Sequence, residues 1–68
     1  MVITFAHPIV RVLPMSGRYL IETTHTVYWL TSKEPTKIES CTLYVSGPAV
    51  LSPAISYADP VPSVAADA

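Results

Sequence analysis

Residues 18–31, RYLIETTHTVYWLT, run for fourteen positions without Gly, Pro, Asn or Asp, and six of them are β-branched. Ile21, Thr23, Thr24, Thr26, Val27 and Thr31 are stiff at χ1, which disfavours a helix and suits a pleated strand. Ordinary strands have about five or six residues, so the stretch predicts one long strand, bent or bulged near ETTH. Successive strand side chains point to opposite faces, so the neighbours Tyr28 and Trp29 cannot share one. Something must therefore cover large aromatics on both faces.

Proline and glycine divide the rest of the chain. VITFA (2–6) and IVRVL (9–13) are β-branched runs separated by His7-Pro8, and PMSGR (14–18) reads as a turn. SKEPT (32–36) is a polar connection before a second strand, KIESCTLYVSG (37–47), which Gly47-Pro48 stops. Pairing Thr31 with Lys37 makes these two strands an antiparallel hairpin. One face then holds Ile21, Val27, Trp29, Cys41, Leu43 and Val45, the expected core. The other holds Leu20, Tyr28, Leu30, Ile38 and Tyr44. Neither face is cleanly polar, unlike a half-exposed antiparallel sheet. The expected fold is all-β: a small antiparallel sheet rolled into a barrel or half-sandwich over residues 1–57. An extended Pro/Ala-rich C-terminal arm, residues 58–68, follows it, because Pro60 and Pro62 favour polyproline II.

The chain has 68 residues, and a chain this short buries only about 60% of the surface exposed on unfolding. Domains of that size need staples or partners. Cys41 is the single cysteine, which excludes an internal disulfide, and His7, His25 and Cys41 lack the spacing of a zinc site. Partners remain. Charged residues make up 13% of the chain, against roughly 25% in an average soluble domain. Hydrophobic residues make up 50%, and the mean hydropathy is +0.40. Such a surface calls for cover by lipid or by protein.

Protein is the better reading. The longest uncharged run, Ser40 to Ala58, contains Gly47, Pro48, Pro53, four serines and a threonine, so it makes a poor membrane span. The opening MVITFAHPIVRVLP has neither a basic n-region nor a small-residue cleavage site, so no signal peptide is expected. A net charge of −1 with four scattered basic residues gives no footprint for nucleic acid or anionic lipid.

Candidate chemistry is sparse. The expected register makes His25 and Cys41 diagonal neighbours, yet nucleophilic catalysis also requires an orienting group and an oxyanion hole, and no helix or glycine-rich turn follows the cysteine. Glu22 and Glu39 are the one conceivable carboxylate pair, and a solvated strand face explains them better. No catalytic residue, metal ligand, cofactor or small-molecule substrate is expected. Tyr and Trp are common anchors of protein interfaces. The candidate partner-binding residues are Tyr28, Tyr44, Tyr57, Val61 and Val64, with Trp29 expected inside.

These features predict a structural accessory subunit that binds larger structural proteins and copies of itself. Short, β-rich and equipped with an arm, the chain resembles the cementing and decoration proteins of phage particles. That likeness of architecture implies a virion location, and otherwise a cytoplasmic one is expected. The alternative is a free-standing inhibitor or adaptor presenting a β-edge or an aromatic face.

Overall fold

A computed structural model describes residues 1–54 and 62–65. Its elements are β1 (Val2–Thr4), β2 (Ile9–Met15), β3 (Arg18–Thr23), β4 (Val27–Thr31), β5 (Pro35–Glu39), β6 (Thr42–Val45), β7 (Val50–Pro53) and β8 (Ser63–Ala65). They form two four-stranded antiparallel sheets, ordered β5-β6-β1-β8 and β2-β3-β4-β7. No helix occurs among the described residues, and neither sheet closes into a barrel. The molecule measures 29 × 26 × 17 Å, a thin dimension that suits two sheets stacked about 10 Å apart.

The long strand expected over 18–31 is two strands. β3 and β4 form a hairpin, with Tyr19 opposite Leu30, Leu20 opposite Trp29 and Ile21 opposite Tyr28. Threonine makes the turn. The Thr23 hydroxyl donates to the Thr26 carbonyl (2.7 Å) and accepts from the amides of Thr26 (2.9 Å) and His25 (3.3 Å). The Thr23 amide also donates to the Thr26 carbonyl at 2.9 Å. A Thr hydroxyl here does the work usually given to Asn, Asp or Gly.

The expected pairing of 18–31 with 37–47 does not occur. β4 lies between β3 and β7, whereas β6 lies between β5 and β1 in the other sheet. KIESCTLYVSG is itself folded back, with Glu39 opposite Thr42 across a two-residue turn, Ser40-Cys41. Ser40 adopts φ +52°, in the left-handed region that favours glycine. Two backbone bonds hold this turn: the Ile9 amide donates to the Ser40 carbonyl (2.9 Å) and the Phe5 amide to that of Cys41 (2.8 Å). These bonds tie the turn to the crossing between sheets at residues 5–8. The turn expected over 14–18 narrows to Ser16-Gly17, with Gly17 at φ +75° and Met15 opposite Arg18.

The core is Ile3, Phe5, Ile21, Tyr28, Leu30, Leu43 and Val45. Phe5 and Tyr28 meet with ring centroids 5.2 Å apart. Val27, Trp29 and Cys41, expected in the core, are only half-buried. Parity is the reason. A straight strand would put Ile21, Val27 and Trp29 on one face, but the hairpin sets odd residues of β3 against even residues of β4. Tyr28 and Leu30 therefore join Ile21 inside, and Trp29 turns outward.

Every edge is marked by proline. Pro14, Pro35 and Pro53 lie within the edge strands β2, β5 and β7, and Pro62 directly precedes the edge strand β8. Proline has no N–H to offer an incoming strand, so these edges resist further pairing. Of the segment read as an arm, Ser63–Ala65 pairs with β1 of its own sheet, and residues 58–61 and 66–68 lie outside the described part.

Candidate interaction face

The two sheets differ in what they turn outward. On the β5-β6-β1-β8 sheet the outward positions are Val2, Thr4, Lys37, Glu39, Thr42, Tyr44 and Ser63, a largely polar set. Lys37 bonds Glu39 and lies 5.6 Å from the centroid of the Tyr44 ring. The Glu39 carboxylate, through that bond and its charge, holds the Lys37 ammonium above its ordinary pKa.

The β2-β3-β4-β7 sheet carries an apolar strip on its outer side. Its central rung reads Leu13, Leu20, Trp29 and Ser52, residues directly opposite one another on successive strands. One flanking rung carries Arg11, Glu22 and Val27, the other Met15, Arg18, Thr31 and Val50. Leu13, Leu20, Val27 and Trp29 are half-buried, but none belongs to the apolar residues packed against the core. Met15 is 48% exposed and Val50 67%.

Charge frames this surface without breaking it. The Arg18 guanidinium lies 3.7 Å from the centroid of the Trp29 ring, close enough for a cation–π contact. Arg11 Nε donates to Glu22 Oε1 at 2.6 Å. Both pairs lie over or beside the central rung, so the face is an aromatic and aliphatic strip with charged ends.

Among the residues expected to bind a partner, Tyr28 is corrected: it is 5% exposed and belongs to the core. Tyr44 lies half-buried on the polar sheet, and Val64 is half-exposed on β8 opposite Ile3. Tyr57 and Val61 fall outside the described residues. The sequence reading missed Leu13, Met15, Leu20 and Val50 as a set. Their shared face depends on pairing β2 and β7 with the β3-β4 hairpin, which no local pattern states.

His25 does not pair diagonally with Cys41 on a common hairpin. Its ring stacks on that of His7 at 4.6 Å, joining the β1–β2 crossing to the β3–β4 turn. Among the described residues no group of three or more His, Cys, Asp or Glu is placed to hold a metal ion. No helix among them is long and apolar enough to cross a membrane. No protein-family model, curated protein or solved structure matches the chain.

Proposed function

We propose that the protein is a structural accessory subunit, held in a larger protein assembly through the outer face of the β2-β3-β4-β7 sheet. One observation carries this reading: Leu13, Leu20 and Trp29 form a continuous outward rung that does not contribute to the core. A contiguous apolar patch rimmed by polar groups is the usual mark of a docking surface. Trp and Arg are the residue types that most often dominate such contacts, and Arg18 lies over Trp29 at the centre of this one. The short β-rich architecture suits a cementing or decoration subunit of a viral particle, with larger structural proteins and copies of itself as partners.

The other reading, a free-standing inhibitor or adaptor, keeps the same face but requires a stable, soluble monomer. Its β-edge form is disfavoured, because proline marks all four edges. Substituting Leu20→Lys tests the docking face directly. The variant is expected to fold, because Leu20 does not pack on the core, and to be lost from the native assembly on co-sedimentation. Undiminished incorporation would overturn the proposal.

A further inference from the structure

We propose that the outer face of the β2-β3-β4-β7 sheet is self-complementary and pairs with the same face of a second copy about a two-fold axis. This rests on the reading that the face is covered by protein, and it names the cover. The outward residues of β3 are Arg18, Leu20 and Glu22, in the order cation, apolar, anion. Isologous packing requires a patch to match itself. Let two such faces meet with the axis in the interface and perpendicular to the strands. Each β3 then lies antiparallel on its counterpart. Leu20 meets Leu20 at the axis, and Arg18 of each chain meets Glu22 of the other.

The remaining rungs obey the same operation. Leu13 and Trp29 share the central rung with Leu20, so they face their own counterparts. The rung of Arg11, Glu22 and Val27 falls on the rung of Met15, Arg18, Thr31 and Val50. Apolar Val27 thus comes against the Thr31 and Val50 end, and the aliphatic stem of Arg11 against Met15. Glu22 can serve two cations: Arg11 occupies Oε1, and a carboxylate has a second oxygen to accept with. No like charges are opposed.

Size sets the strength of such a pair, and edge chemistry points to its geometry. A standard interface takes about 800 Å² from each partner. That is close to a fifth of this chain's 4256 Å² and slightly more than its flat 29 × 26 Å outline, so a contact over one face falls at the small, weak end of the size range. Proline at the four edges removes the competing route to a dimer, strand addition. Face-to-face stacking remains.

Sedimentation velocity across roughly 1–500 μM, the weak end of the range open to an interface of this size, gives the test. Wild-type protein should shift from its 7.4 kDa monomer to twice that mass. Arg18→Glu and Glu22→Lys should each stay monomeric to concentrations at least about tenfold higher, because each opposes like charges across the axis. An equimolar mixture of the two variants should dimerise, since the mixed pair restores both opposite-charge contacts. A separate probe covers the case in which either variant fails to fold. Leu20→Cys in a Cys41→Ser background, treated with a short bismaleimide, should give covalent dimers. A wild-type chain that is monomeric throughout, variants that dimerise alone, a mixture that does not, or no cross-linked dimer would each overturn self-pairing. None of those results touches the co-sedimentation test of Leu20→Lys, so failure of self-pairing and failure of the docking face are read separately.

Discussion

Tyr28 and Trp29 are adjacent on β4 and lie on opposite sides of one sheet. Tyr28 is in the core with its ring 5.2 Å from that of Phe5, while Trp29 lies outside beneath the Arg18 guanidinium at 3.7 Å. Their consequences for folding and docking should therefore separate. Tyr28→Ala removes a buried ring and should cost about 3–5 kcal/mol, enough to unfold a domain at the lower end of the usual stability range. Trp29→Ala should keep a cooperative melt and lose binding. Chemical denaturation of both variants decides the point, and equal loss of folding would contradict the two-sided account.

Thr23 should prove more important than an exposed-loop threonine. Its hydroxyl accepts the amides of buried Thr26 and of His25. Thr23→Val keeps the shape but leaves the Thr26 amide without that partner, a loss of about 1–3 kcal/mol. A urea midpoint unchanged from wild type would show that the hydroxyl does not make the turn.

Much of the architecture was legible in the residues. The β-branched runs mark strands, and the proline and glycine of PMSGR (14–18) mark a turn. Two features were hidden. Thr23 closes a turn with its side chain, so the stretch lacks the glycine or asparagine that announces one, and the hairpin sets β4 in the opposite parity to β3. That reversal exchanged Tyr28 for Trp29 and moved Val27 out of the core. The outward rung was hidden for a different reason, because Leu13, Leu20 and Trp29 come from three strands and meet only through long-range pairing.

Ser40 is a site where stability should rise. A non-glycine residue at φ +52° is strained, and the two bonds that hold this turn are made by backbone atoms. Ser40→Gly should gain about 0.5–1 kcal/mol, the relief of left-handed strain less the added flexibility of the unfolded chain. Ser40→Val should lose stability. Thermal melts in the reverse order would show that the hydroxyl, not the backbone, governs this position.

Lys37 gives a pH signature of known sign. Its pKa is raised by the bond to Glu39, so the pair's contribution is complete below the ordinary lysine value of 10.5 and is lost as pH rises through the raised one. The side chain is exposed and screened, so the gap in melting temperature between wild type and Lys37→Met should be small at neutral pH and close in alkali. A gap that widens with rising pH would contradict the assignment.

Cover of the outer sheet face by protein can be read from one intrinsic probe. Trp29 is the only tryptophan, and it lies at the centre of the proposed contact. Acrylamide quenching of its fluorescence, measured on dilute folded protein and on the assembled form, reports whether that ring is open to solvent. Efficient quenching is expected in the dilute protein, and strong protection with a blue-shifted emission once it is assembled. Equal quenching in the two states would contradict that cover.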